Sequence, residues 1–145
     1  MKNRGHETID HTADMGLRAW GRSREEAFEE AAGALFELLA DCRGLKGGMR
    51  FDLAVTGSDP AELLVEFLNE LLSLADIEEA VLTGVAVERC LDEGDCWSLR
   101  AVVNAIPRDE CRARMLREVK AVTWYGTSFT REEGGQWVAQ CVVDL

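Results

Sequence analysis

Histidine is scarce in this chain, and the usual patterns of soft-metal ligands are missing. Only His6 and His11 occur, both near the N-terminus, and the five cysteines (Cys42, Cys90, Cys96, Cys111, Cys141) form no CxxC pair. Structural zinc sites draw on closely spaced Cys and His ligands, so a zinc cluster is disfavoured. A Cys–His nucleophilic pair has little to stand on for the same reason. No apolar run approaches the roughly 20 residues that cross a bilayer, so no membrane association is expected. The segment Met1-Lys2-Asn3-Arg4-Gly5-His6 lacks the apolar stretch of a secretory leader. These points predict a cytoplasmic protein with reduced cysteines. Cys90 and Cys96 flank a hairpin turn and are expected to face each other across strands.

Basic residues are also in short supply: 16 Lys and Arg stand against 27 Asp and Glu, for a net charge of -11. Holding phosphate backbones relies on cations, so stable direct nucleic-acid binding is not expected. A basic protein partner or a divalent cation suits this surface better. No repeat, low-complexity segment or linker interrupts the 145 residues, which at 47% hydrophobic and 30% charged read as one globular domain, 1–145.

The densest chemistry lies in Asp10-His11-Thr12-Ala13-Asp14-Met15-Gly16. Two carboxylates, an imidazole and a hydroxyl fall within five residues. A turn or loop gathers such groups more readily than a strand does, and hard divalent ions prefer such oxygens. The same residue types also end strands simply by bonding the local backbone, and the motif alone leaves both readings open.

Leu17 to Gly21 alternates as a strand. Ser23 and Glu26 form a capping box for a helix over 24–41, with Phe28, Ala31, Ala32, Leu35, Phe36 and Leu39 inward and Glu25, Glu29, Glu30 and Glu37 outside. After a loop at 44–48, 49–56 reads as a strand. Asp59-Pro60 then opens a helix to about Ala75, with a polar strip of Glu62, Glu66, Asn69, Glu70 and Ser73 turned to solvent. A long hairpin follows, 81–91 and 96–106, turning at Asp92-Glu93-Gly94-Asp95. Segment 107–118 carries Arg108, Arg112, Arg114 and Arg117 and reads as a connecting loop in preference to a phosphate contact. A final hairpin pairs 120–125 with 136–143. Mixed helices and strands without regular alternation predict an α+β fold, two main helices on mostly antiparallel or mixed sheets. Asp144 ends the last strand beside the terminal carboxylate of Leu145. Taken alone, an aspartate there reads as a solvated residue at a frayed end, although the two carboxylates put extra oxygens at one point.

In combination these stretches resemble the archease family. The resemblance rests on Asp10-His11-Thr12-Ala13-Asp14-Met15-Gly16 with Gly21, on Glu25-Glu26-Ala27-Phe28 leading into Ala34-Leu35-Phe36-Glu37-Leu38, and on Phe67-Leu68-Asn69-Glu70-Leu71-Leu72. Glu118-Val119-Lys120-Ala121-Val122-Thr123 and Trp137 through Asp144-Leu145 complete it. It implies a metal-binding accessory protein of the RNA ligase of tRNA splicing, which promotes ligase guanylylation and repeated turnover without joining RNA itself. By the same resemblance Asp14, Asp144 and Leu145 hold a divalent ion, calcium foremost with magnesium or manganese as alternatives. If the first and last strands are neighbours, Asp14 and Asp144 converge, and their repulsion favours such a bound cation. Lys120 is the ligase-activating candidate, and Asp10 and His11 support the ligands. No residue of the chain is assigned as catalytic. Two departures stand out: Tyr125 occupies a position where the family usually has histidine, and 107–118 lacks the usual glycine-containing form. The competing readings are a metal-dependent phosphoester hydrolase with His11 as base, and a non-enzymatic chaperone or interaction module.

Overall fold

A computed structural model describes residues 3–10 and 14–145. In chain order the elements are β1 (Gly5–Asp10), β2 (Asp14–Gly21), α1 (Arg24–Leu39), β3 (Met49–Gly57), α2 (Pro60–Ile77), β4 (Ala80–Asp92) and β5 (Trp97–Pro107). A 3-10 helix (Arg108–Arg114), β6 (Ala121–Arg131) and β7 (Trp137–Asp144) follow.

Both helices begin by the same local chemistry. Ser23 accepts from the Glu26 N–H at 3.1 Å, and Asp59 from the Glu62 N–H at 2.8 Å, each satisfying a donor the first helical turn leaves open. Each glutamate reaches back past the cap, Glu26 to the Arg22 N–H at 2.9 Å and Glu62 to the Ser58 N–H at 3.3 Å. A glycine two residues before each cap lets the strand end press on the helix. A Cβ on Gly21 would meet Glu26 Cβ at 2.6 Å, and one on Gly57 would meet the Leu63 nitrogen at 2.7 Å. The chain has no sequence repeat, yet this strand-to-helix junction occurs twice.

The strands form two antiparallel sheets, ordered β1-β2-β7-β6 and β3-β5-β4. α1 packs on β2 and β4 and α2 on β6 and β3, so the helices form a middle layer between the sheets. Phe28 of α1 stacks on Phe129 of β6 at 4.6 Å and meets Phe67 of α2 edge-on at 5.7 Å, tying three elements into one core. The fold is α+β, as the mixed pattern predicts.

Four local expectations need correction. Cys90 lies opposite Leu99 and is buried, whereas Cys96 sits exposed in the turn, because the register closes the hairpin at Asp92 and Trp97. All five thiols are free. Asn69 is not solvated; its side chain bonds the backbone of Val122. Glu29 and Glu30 are half-buried, not outside. Glu29 accepts from the Val87 N–H at 2.8 Å, at an irregularity in the β4–β5 ladder, and Glu30 meets Arg4 and His6. The last hairpin is longer than expected, since β6 continues to Arg131 beyond an irregularity between Thr123 and Ser128.

Segment 107–118 is a connection, and three of its four arginines are engaged locally. Arg108 Nη2 donates to the Ala75 carbonyl at 2.9 Å, Arg112 meets Asp109 at 2.6 Å, and Arg114 donates to the Arg43 carbonyl at 2.7 Å.

Candidate functional site

β2 and β7 pair along their whole length, and the register sets Asp14 directly opposite Asp144. Residues so placed share a sheet face, with Cβ atoms about 4.5–5.5 Å apart. Met15, Leu17 and Ala19 turn inward against α1 and are buried, so the alternation puts Asp14 on the face away from the helices. The strands that carry the two aspartates come from opposite ends of the chain, and the condition set by the sequence is met.

The pair lies at the end of the ladder. Ala121 flanks Asp144 on its other side, and the Lys120 N–H donates to the Asp144 carbonyl at 2.8 Å. Lys120 and Leu145 thus lie one step beyond the row of Asp14, Asp144 and Ala121. Asp144 and Lys120 are exposed; Asp14 is half-buried, with Oδ1 shielded from solvent. Among the described residues Lys120 makes no ion pair, so it is not the counterion of the two aspartates. Asp10 closes β1 opposite Met15, one residue out of step with the pair and on the other face. His11 lies outside the described residues.

The donor set is all oxygen, which matches a hard divalent cation. Among the described residues no group of three or more His, Cys, Asp or Glu side chains gathers as ligands. The described side chains at this point of the sheet are the two carboxylates of Asp14 and Asp144, and Leu145 follows Asp144 in the chain. Carboxylate oxygens of this kind could hold a partly hydrated calcium or magnesium and do not make a closed zinc site.

The buried cysteines offer no reactive alternative. Burial pushes the Cys141 thiol up to about 12 and the Cys90 thiol up to about 11, with nearby Glu25 adding to the latter. His6 is committed elsewhere: Nδ1 meets Glu30 at 2.7 Å and Nε2 meets Glu37 at 3.0 Å. Among the described residues no helix is long and apolar enough to cross a membrane.

Two features at this end of the molecule went unread in the sequence. Asn69, on the polar strip of α2, clamps β6 through Val122; its place on that strip hid the role. Trp124 and Tyr125 are 56% and 85% exposed, where β6 leaves its register before Gly126 at φ +74°. Nothing local distinguishes these aromatics from buried strand residues.

Fold and site together define a small α+β protein with helices layered between two antiparallel sheets and an acidic cross-strand pair at one sheet end. The chain belongs to the Archease protein family (MTH1598/TM1083), whose model matches residues 6–145. It is 37% identical to protein archease of Pyrococcus furiosus over 139 residues, covering 96% of this chain and 97% of that one. It is 35% identical to protein archease of Methanopyrus kandleri, over 96% of this chain and 98% of that one. The solution structure of Methanobacterium thermoautotrophicum protein 1598 superposes with a TM-score of 0.82 at 29% identity, over 97% and 99% of the two chains. A Thermotoga maritima crystal structure, described as an archease and possible chaperone, shares the fold with a TM-score of 0.60 at 21% identity, over 96% of each chain.

Proposed function

We propose that this chain is a cytoplasmic, metal-binding accessory protein of the tRNA-splicing RNA ligase, promoting ligase guanylylation and multiple turnover without being a catalyst itself. The observation that carries this reading is the direct cross-strand pairing of Asp14 with Asp144 in a member of the archease family. Asp14, Asp144 and the Leu145 carboxylate would hold the divalent ion, calcium foremost and magnesium or manganese as alternatives. When bound, such an ion supplies the charge neutralisation on which phosphoryl and nucleotidyl transfer depend.

The chain's own groups support the rest. Asp14 and Asp144 lie on the sheet face turned away from the helices, at the end of a strand pair, within reach of a partner surface. Lys120 beside them is exposed and makes no ion pair among the described residues, so its ammonium is available to the ligase. Asp10 and His11, the other ionisable residues of the motif, would support Asp14, Asp10 from the opposite face of the strand end. A net charge of -11 fits a protein partner better than stable direct contact with nucleic acid. With His6 bonded to Glu30 and Glu37, a hydrolase would have to draw its general base from His11 alone.

The test is RNA ligation by the cognate ligase, under single- and multiple-turnover conditions, with and without this protein. Wild type is expected to restore repeated turnover, and Asp14→Ala, Asp144→Ala and Lys120→Ala to fail. Absence of stimulation by wild type, or full stimulation by Asp14→Ala, would overturn the reading. Phosphoester hydrolysis by the purified protein, lost in Asp14→Ala, would replace it with the hydrolase.

A further inference from the structure

β6 pairs with β7 at Thr123 and Val142 and again at Ser128 and Gln140, so Trp124-Tyr125-Gly126-Thr127 stands against Cys141 alone. The surplus residues leave the ladder as an excursion at the sheet edge, since β6 is an outer strand. Side chains and a glycine hold this excursion in shape. Thr127 Oγ1 donates to the Thr123 carbonyl at 3.0 Å, Thr123 Oγ1 donates to the Val142 carbonyl at 3.2 Å, and Gly126 turns at φ +74°. A Cβ on Gly126 would meet Val142 Cγ2 at 3.4 Å, so the excursion rests on Val142. Val142 and Asp144 alternate onto the same sheet face, turned away from the helices. Thr123 lies two residues along β6 from Ala121, the neighbour of Asp144, or about 7 Å of strand. The excursion therefore stands beside the Asp14–Asp144 pair.

It carries Trp124, 56% exposed, and Tyr125, 85% exposed. Ile9, exposed at the far end of the row through Gly16 and Val142, continues the apolar surface across the sheet. Trp and Tyr are the side chains most enriched among residues that dominate protein interfaces. Held out on a fixed turn, they lose little freedom when a partner covers them.

Charge selects the occupant. Glu66 and Glu70 are exposed on α2 to either side of Asn69, which holds Val122 of the same strand. Glu118 and Asp144 are exposed beyond Ala121, with Lys120 between them in space. Such a rim repels the phosphates of nucleic acid and of anionic lipid, and a second copy would bring the same acids against it. The Asn69 amide and the excursion also block strand addition along this edge. A protein with a basic surface fits, and a protein that holds RNA phosphates presents one.

We propose that Trp124 and Tyr125 are the anchors by which this chain docks on the basic, RNA-binding surface of the ligase. Each fills an apolar recess there while Glu66, Glu70 and Glu118 face the surrounding cations. The proposal rests on the ligase reading above and adds its contact surface.

Calorimetric titration of the cognate ligase with the full chain tests it. Trp124→Ala and Tyr125→Ala are each expected to weaken binding about tenfold or more. Ile77→Ala, which removes a side chain 76% exposed at the end of α2, is expected to bind as wild type does. Wild-type affinity is expected to fall as salt rises. In ligation assays the aromatic variants should need about tenfold more protein for half-maximal stimulation yet reach the wild-type maximum, whereas Asp14→Ala should lose the maximum. Wild-type affinity in either folded aromatic variant overturns the docking role and leaves the ligase reading intact. So does a lowered maximum at saturation, which would put the aromatics in the chemistry. Affinity indifferent to salt overturns the basic partner surface. If wild type neither binds nor stimulates the ligase, the ligase reading falls and the docking role falls with it. Tyr125 is the more exposed of the two, so its variant decides the matter even if Trp124→Ala fails to fold.

Discussion

Asn69 holds Val122 by both backbone groups: its Oδ1 accepts from the Val122 N–H at 2.9 Å, and its Nδ2 donates to the Val122 carbonyl at 3.0 Å. β6 is an edge strand of its sheet, so those two groups have no strand to pair with. The amide stands in for the missing neighbour and fixes β6 beside Asp144 and Lys120. Replacing Asn69 with Leu should destabilise the protein by about 2 kcal/mol, from two lost hydrogen bonds and stranded backbone groups. Urea unfolding measures this, and faster exchange of the Val122 amide localises it. Unchanged exchange would show that Asn69 does not clamp the strand.

Gly21→Ala and Gly57→Ala should each cost more than about 1 kcal/mol, because the added Cβ meets atoms of the following helix that cannot move aside. The Ala27 nitrogen would lie 2.8 Å from the first, and the Leu63 nitrogen 2.7 Å from the second. Gly84→Ala, where an added Cβ meets nothing within 4 Å, is the matched control. Thermal unfolding of the three variants, run side by side, checks the contrast.

Stability should depend on pH through His6. Burial disfavours its charged ring, but the hydrogen bonds it donates to Glu30 and Glu37 outweigh that, and its pKa is raised above 6.5. The imidazolium alone can donate to both carboxylates. A raised folded-state value means the contribution is full below about 6.5, the unfolded value, and is lost as pH rises through the folded value. His6→Gln should remove this part of the pH dependence. Urea midpoints of both proteins between about pH 5 and 9 should converge at the alkaline end; parallel curves would refute the assignment.

Calcium should raise the melting temperature of wild type, by about 2.7 kcal/mol of stability at a hundredfold excess over its dissociation constant. A chelator should reverse the effect, and Asp14→Asn with Asp144→Asn should abolish it. These variants keep the shape of the pair while removing its charge. A shift that survives in the double variant would place the ion elsewhere.

Tyr125→His should leave stability within about 0.5 kcal/mol, since the side chain is 85% exposed. Any change in ligase stimulation by this variant would then report on partner contact and not on folding. Paired unfolding and ligation measurements separate the two.

Local features were legible in the sequence because they are written in neighbouring residues. Ser23 with Glu26 and Asp59 with Pro60 announce helix starts through donors that must be satisfied within one turn. Gly94, at φ +91°, marks the β4–β5 turn. Alternation in β3 and the apolar face of α1 reveal which sides are buried. The oxygen-rich motif at Asp10–Asp14 and the penultimate Asp144 were visible as candidates for the same reason.

Tertiary structure alone decided what those candidates could do together. Nothing in local periodicity says that β2 pairs with β7 and not with β3, because any amphipathic strand can serve any edge; the register that sets Asp14 against Asp144 is a property of the closed sheet. The same holds for Asn69, which looks like a solvated helix residue until β6 arrives with unpaired backbone. It holds too for Glu29, whose partner is the Val87 N–H of the edge strand β4, beside an irregularity in its ladder. Sequence by itself determined the elements, their buried faces and the chemical type of the acidic motif. Which of those groups meet was settled only when two sheets closed over the helices, since pairing between distant segments depends on the whole packing and not on the residues beside them.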